Sequence, residues 1–383
     1  MTSLILITII CVFLQLYHYV FYPLIIAAFA RFKKRRDSQT QIQEFSVSLI
    51  ICAYDEAGII SQKLSNSIAL DPPPDEIILI CDGSTDGTEQ VARALAARQD
   101  HITVLYRPER QGKSAAMNRA AAKASGDIML FSDANAIYAS NAVEAIRRGF
   151  SDPSVAVVSG AKHTKGADGV GVGDSLYWRY EAWIRRCETR IGSTVASVGE
   201  IIAVRRKDWR PIPGGTVNDD AWLTLSNLAR GRRVVFAPEA HSYEPASADH
   251  DLETQRRRRM NAGRLRLIGR AENWPWRYPW PLFAFLSHKV LRLFLPIFML
   301  LGFATNFAVV LQEAAPRIME HLFALQLAGA ALILVGGVAA RRSWRLRLPL
   351  AAYHVYRGNI AALFAMWDIL RGKSYAIWEK PAR

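Results

Sequence analysis

The sequence predicts an α/β fold built on a mostly parallel sheet, with apolar helices before and after it. Three observations predict it. From Val47 to Ser159, short apolar runs alternate with helical stretches, the pattern of βαβ units. Several of those runs break abruptly into polar, Asp-rich segments, as buried parallel strands do where their carboxyl ends open into a crevice. Long runs free of Asp, Glu, Lys and Arg lie outside this middle region.

The chain has 383 residues, half of them hydrophobic, and a formal net charge of +14. Such a charge can signal nucleic acid. Here the basic residues gather beside the apolar runs, at Arg31–Arg36, Arg256–Arg270 and Arg341–Arg347, and membrane flanks account for that placement better. No nucleic-acid partner is expected. The four cysteines, Cys11, Cys52, Cys81 and Cys187, have no metal or disulfide spacing and are read as reduced.

Leu4–Ala30 carries no Asp, Glu, Lys or Arg and is long enough to span a bilayer. Ala28-Phe29-Ala30 has the look of a cleavage site. However, Met1-Thr2-Ser3 lacks a positive side chain and the run is too long for a signal peptide, so an uncleaved anchor is expected. Arg31, Lys33, Lys34, Arg35 and Arg36 place the following chain in the cytoplasm, and residues 1–36 form the anchor and its basic flank.

In the middle region, strands are expected at Val47–Cys52, Asp75–Cys81, Ile102–Tyr106, Ile128–Phe131 and Val155–Ser159. Helices are expected at Glu56–Ile68, Thr85–Arg98, Lys113–Ala124 and Asn141–Phe150, and Gly166–Gly173 reads as a mobile loop. The first strand ends in Ala53-Tyr54-Asp55-Glu56, where Tyr54 can stack on a base and an acidic neighbour can accept from it. The second runs into Asp82-Gly83-Ser84-Thr85-Asp86-Gly87: glycines for a sharp turn, Ser, Thr and Asp to cap the next helix, and Asp82 as a carboxylate beside a nucleotide base. The fourth ends in Ser132-Asp133-Ala134-Asn135, where an oxygen-rich ligand such as metal-bound diphosphate would sit. Alone, each of these segments is equally a capped turn.

Two common nucleotide motifs fail. Gly112-Lys113-Ser114 has Arg107 where a P-loop needs its first glycine, and Gly169-Val-Gly171-Val-Gly173 does not open a helix after a strand.

Toward the C-terminus, Leu293–Leu311 and Leu322–Ala340 are each about one bilayer long. An acidic link with Glu313 and Glu320 and a basic segment from Arg341 give an outward crossing and a return. Pro349–Leu370 has basic flanks on both sides and is expected to lie in the interface, a further crossing being the alternative. Trp274-Pro-Trp276-Arg-Tyr278-Pro-Trp280 reads as an aromatic belt or as the wall of an acceptor groove. The expected units are therefore 1–36, a catalytic domain at 45–250, Arg-rich and aromatic interface helices at 251–292, a hairpin of 293–311 and 322–340, and an interfacial helix with a cytoplasmic tail at 349–383.

In order and spacing these motifs resemble the membrane-embedded branch of the family-2 glycosyltransferases, which includes poly-N-acetylglucosamine, chitin-oligosaccharide, hyaluronan and cellulose synthases. Ala53-Tyr54-Asp55-Glu56 is similar to the family's Ala-Tyr-Asn-Glu, with Asp for Asn. Cys81–Gly87 is similar to Asp-Asp-Gly-Ser-Thr-Asp-Gly, with Cys at the first Asp, and Gly112–Asn118 resembles the segment that approaches the nucleotide and diphosphate. Asp133 and Asn135 stand at Asp-x-Asp, Asn218-Asp219-Asp220 at Thr-Glu-Asp, and Gln255–Met260 at Gln-x-x-Arg-Trp. The last motif has two registers; the one adopted sets Arg259 at the family arginine and Gly263 at the glycine that follows. Either register lacks the Trp, which weakens the case for long processive synthesis.

The resemblance, covering roughly residues 45–290, implies a GT-A type sheet and an inverting hexosyltransferase in the inner (plasma) membrane with its catalytic domain in the cytoplasm. Asp220 would be the catalytic base. Ala53, Tyr54, Glu56, Asp82, Lys113, Asp133 and Arg259 would bind the donor, Asp133 and Asn135 a divalent metal (Mg2+ or Mn2+), and Glu200 and Asp219 would face the acceptor. Asn135 offers only a neutral oxygen, so metal binding should be weaker than with two carboxylates. A UDP-sugar donor, UDP-GlcNAc or UDP-glucose among them, and a glycan acceptor at the membrane are implied. Membrane lipids are the other partners, export or accessory subunits being left open. The rivals are a glycolipid-forming transferase making one or a few additions and a non-catalytic nucleotide sensor.

Overall fold

A computed structural model describes residues 1–33, 44–165, 170–245, 250–342, 344, 346–373 and 375. The basic residues 34–36, residues 166–169, 343 and 345, and the tail from 376 lie outside the described residues.

Two helical segments, α1 (Thr2–Leu16) and α2 (Tyr22–Phe32), run into one another through a π turn at Tyr17–Phe21. Next come β1 (Val47–Ala53), α3 (Ala57–Ile68), β2 (Glu76–Asp82), α4 (Thr88–Ala96), β3 (Ile102–Arg107), α5 (Lys113–Ala121) and β4 (Ile128–Asp133). A short β5 (Ile137–Tyr138), α6 (Ala142–Gly149), β6 (Val155–Lys165), α7 (Val170–Ile191), β7 (Ile201–Arg205), α8 (Asp219–Leu228) and β8 (Arg233–Pro245) complete the sheet and its helices. The rest is helical: α9 (His250–Ile268), α10 (Pro279–Ala284), a second π turn at Phe285–Val290, α11 (Leu291–Val310), α12 (Arg317–Arg341) and α13 (Arg347–Leu370).

The eight described strands lie in the order β3-β2-β1-β4-β7-β6-β8-β5. β1, β2, β3 and β4 pair in parallel, β7 enters antiparallel between β4 and β6, and β6 and β8 pair in parallel again. The fold is therefore a GT-A-like, mostly parallel α/β sheet, as expected, with β7 reversed inside it and the short β5 reversed at the edge beside β8. The apolar runs form strands because both faces are covered. Leu49 and Ile51 of β1 pack among Ile60, Leu64, Val143 and Ile146 of α3 and α6, while Ile50 packs with Met117 of α5 and Leu223 of α8.

Two expectations need correction. β6 runs on past Ser159 to Lys165, because β8 extends alongside it to Pro245. The glycines at 171 and 173 lie inside α7 rather than in a mobile loop.

Among the described residues three helical stretches, Thr2–Phe32, Pro279–Val310 and Arg317–Arg341, are long and apolar enough to cross a membrane. Thr8 Oγ1 meets Thr305 Oγ1 at 2.8 Å between the first two, and Asn306 donates to Gln326 at 3.0 Å between the second and third. Helix α13 is not one of the three. Polar side chains bind it to α9: Arg258 pairs with Asp368, and Arg357 donates to Thr254 at 2.7 Å.

Candidate active site

The ends of β1 and β2 are laced together by the turn residues themselves. Ser84 and Thr88 hydroxyls accept from the amides of Asp55 and Glu56, at 3.1 and 2.8 Å, and Asp55 accepts from the Thr85 amide at 2.8 Å. Asp55 sits at φ 51, a left-handed conformation that a short polar side chain tolerates. Gly83, at φ 75, is required twice over: a Cβ there would lie 2.8 Å from the Cβ of Arg110. Arg110 in turn lies over the Tyr54 ring, 3.6 Å from its centroid, so the turn that holds Ala53, Tyr54 and Glu56 carries a stacked aromatic and guanidinium pair.

Asp82 is buried and fully engaged. Its carboxylate accepts from the amides of Gln111 and Gly112 at 3.0 and 2.6 Å and pairs with Arg119 at 2.6 Å. Here it holds the turn that opens α5, and thereby positions Lys113, the first residue of that helix.

Lys113 is the hub where distant segments converge. Its ammonium lies 2.6 Å from Asp133 at the end of β4 and 3.2 Å from Asp219 at the start of α8. A Cβ on Gly199 would be 3.6 Å from that ammonium and 3.7 Å from the Asp220 Cβ, so the segment before β7 closes on the same point. Burial opposes the charge on Lys113, but Asp133 and Asp219 outweigh it and hold its pKa well above the ordinary lysine range.

Asp220 is the neighbour that ionises with difficulty. Burial, then the charge of Asp219, push its carboxyl up to about 6, against a pull downward from Arg264. A carboxylate near 6 is a competent base at neutral pH. Its backbone oxygen accepts from Ser197 at 3.1 Å, which fixes the first turn of α8.

Beyond Asp133 lies a second charged layer. Carboxylate oxygens of Asp133, Glu200 and Glu244 fall within 4.8 Å of one another. The Lys162 ammonium bonds Glu200 and, at 2.5 Å, Glu244, and Arg256 reaches Glu200 at 3.3 Å. Glu200 and Glu244 are thus balanced by Lys162 and Arg256, whereas Asp133 pairs with Lys113, with half-buried Asn135 two residues further on. One carboxylate with an amide oxygen suits a divalent ion that takes its other ligands from substrate phosphates.

The four consecutive arginines separate by helical geometry. Arg256 and Arg259, three residues apart, share the face toward the site. Burial and then Arg256 bring Arg259 down to about 10, while Asp219 and Asp133 draw it the other way. Arg257 pairs with Glu253 at 2.8 Å, and Arg258 with Asp368.

The structure thus brings Asp133 and Asp219 onto Lys113, with Glu200 close to Asp133, Asp220 beside Gly199 and Arg259 near both aspartates, and sets Ala53, one residue past the Cys52–Asp133 register pair, and the Asp82 turn beside them. Sequence reasoning missed Arg256, Lys162 and Glu244. Arg256 was signalled by its i−3 relation to Arg259; Lys162 and Glu244 meet diagonally across the β6–β8 pairing, in register with Ser242 and Thr164, and carry no local signal.

Residues 48–209 match the glycosyl transferase family 2 domain. A 201-residue stretch is 26% identical to a poly-beta-1,6-N-acetyl-D-glucosamine synthase of Staphylococcus aureus, covering 51% of this chain and 48% of that protein. A 90-residue stretch is 37% identical to the glycosyltransferase AglE of Haloferax volcanii, covering 23% and 29%. The matched stretches thus span half or less of these relatives. Among solved structures, a mannosyltransferase from Pyrobaculum calidifontis, in complex with GDP-Man and Mn2+, superposes with a TM-score of 0.70 at 23% identity over 96% of this chain and all of that one. That likeness establishes the fold.

Proposed function

We propose that this chain, which carries a family-2 glycosyltransferase domain over residues 48–209, transfers a sugar with inversion from a nucleotide sugar to an acceptor hydroxyl at the membrane surface. The observation that carries the reading is the convergence of Asp133, Asp219 and the base-like Asp220 on Lys113, from elements far apart in the chain. The acceptor oxygen bonds to the anomeric carbon as that carbon's bond to the diphosphate breaks. Asp220 takes the hydroxyl proton, and the nucleoside diphosphate leaves. Inversion needs the base on the face opposite the leaving group, a role typically worth about 10²–10⁴-fold.

The stacked Tyr54–Arg110 pair offers the base a face, with Ala53 and Glu56 at its edge, while Asp82 fixes the Gln111–Lys113 turn. Lys113 and Arg259 meet the diphosphate, where charge-assisted bonds are strongest as negative charge develops. Asp133, with Asn135, would hold a divalent ion, Mg2+ or Mn2+, which supplies further neutralisation of the leaving diphosphate. Glu200 and Asp219 border the acceptor side.

The donor is a UDP-sugar in this reading, and the acceptor a membrane-associated glycan in polysaccharide biosynthesis. Addition of one or a few sugars to a lipid is the second reading, favoured by Met260 where the polymerising members carry a Trp after the arginine. Three apolar helices support membrane association, and the basic flank after Leu4–Ala30 supports a cytoplasmic catalytic face. Membranes carrying the chain, screened against UDP- and GDP-sugars, should release nucleoside diphosphate with one of them in the presence of an acceptor extract. Donor binding without release across the whole panel would leave a nucleotide sensor instead.

A further inference from the structure

A lysine that the transfer chemistry leaves unused lies under the loop that carries Asp133 and Asn135. Lys63, in the middle of α3, has no exposed surface. Its ammonium donates to the Ala136 carbonyl at 2.6 Å and sits 4.0 Å from the centre of the Tyr138 ring. Among the described residues no carboxylate pairs with it, and burial brings its pKa down to about 7 against the pull of Asp133. A methionine of similar length would bury there without that penalty. It would also leave the Ala136 carbonyl without this donor.

The carbonyl held in this way belongs to a turn. The Ala136 amide donates to the Asp133 carbonyl at 3.2 Å, which closes a turn with Asn135 inside it. Three residues on from Lys63 along the same helix, Asn66 grips the next part of the loop. Its side-chain nitrogen donates to the Tyr138 carbonyl at 3.0 Å, and its oxygen accepts from the Tyr138 amide at 2.9 Å. Tyr138 lies in β5, the edge strand beside β8, so Asn66 stands in for a further strand. The Tyr138 hydroxyl donates to the Glu200 carbonyl at 2.8 Å, just ahead of β7. One face of α3 thus fixes the segment from Asp133 to Tyr138, and Tyr138 ties it to the backbone of Glu200.

We infer that Lys63 is a positioning residue for the divalent ion: with Asn66, it holds the Asp133–Ala136 turn so that the Asp133 carboxylate and the Asn135 amide oxygen are presented together to metal and diphosphate. This rests on the transferase reading above and adds the residues that prearrange its metal site. Asn135 brings no charge to the ion. With one of the two ligands neutral, more of the affinity depends on both being in place before the ion arrives.

The test uses the full chain and titrates Mn2+ by calorimetry in the presence of the nucleoside diphosphate released in the donor screen, with thermal unfolding and initial rates alongside. Lys63→Met should raise the Kd for Mn2+ about tenfold, and the Mn2+ concentration for half-maximal rate by a similar factor, with kcat at saturating metal and donor little changed. Tyr138→Phe deletes one hydroxyl and keeps the ring; it should show the same split at smaller size, and it decides the matter if Lys63→Met does not fold. A lysine that serves stability alone would lower the melting temperature and leave the Kd for Mn2+ unchanged in the folded variant. That result, or donor turnover by an unaltered chain that binds no Mn2+, overturns the inference and leaves the transferase reading standing. No release of nucleoside diphosphate by the unaltered chain from any donor in the screen removes the transferase reading and the inference with it.

Discussion

Replacing Asp220 by Asn should abolish transfer and stabilise the protein at the same time. In the folded chain, burial and the neighbouring charge of Asp219 raise its carboxyl from the ordinary 3.8 to about 6. A group whose folded pKa is raised favours folding when protonated and loses that contribution as pH climbs from the unfolded to the folded value. Ionised Asp220 therefore costs up to about 3 kcal/mol at pH 8, about half that at pH 5, and almost nothing below pH 4. Asparagine, close in shape and never charged, avoids the cost. Denaturant midpoints of Asp220→Asn and the unaltered chain, measured at pH 8 and pH 5, should differ more at pH 8, always in favour of the variant. Turnover should fall by about 10²-fold or more while donor affinity is kept. A variant that is less stable at both pH values, or that turns over near normally, would refute the reasoning about both burial and role.

Lys113→Met leaves Asp133 and Asp219 facing each other without their shared cation. Stability should fall by about 1–3 kcal/mol and donor KM should rise, as read by thermal unfolding and initial rates; unchanged values in both would remove Lys113 from the centre of the site. Gly263→Ala would set a Cβ 2.0 Å from Asn218 Oδ1 and 2.7 Å from Val217 Cβ, pressing α9 off the turn that presents Asp220. A displacement of about 1 Å at a base can cost about 10²-fold in rate, so kcat should drop with donor KM little changed.

Much of the architecture was legible because it rests on local pattern. Val47–Ala53 and Ile128–Asp133 are apolar on both faces, and a run that must be buried twice has few alternatives to a central strand. Asp133, Lys113 and Asp220 could be found because each sits where a strand or turn meets a helix. The reversed direction of β7 was hidden, since Ile201–Arg205 is as apolar as its parallel neighbours and direction is set by the long excursion through α7. The glycines at 171 and 173 misled because helix α7 is held by tertiary contacts with α2 and α13 that propensity does not encode. Asp82 was read as a base contact, whereas its oxygens hold the Gln111–Gly112 amides and Arg119; a carboxylate's partners 29 to 37 residues away cannot be read from its own turn.

The pairing of Arg258 with Asp368 joins positions 110 residues apart, and two of the three membrane-length helical stretches lie between them. On a ribosome, α9 is made long before its clamp. Until Asp368 has emerged, the Arg258 pair cannot pin the helix that supplies Arg256 and Arg259. A half-made chain would therefore hold its two site-facing arginines on a helix that lacks its last fastening.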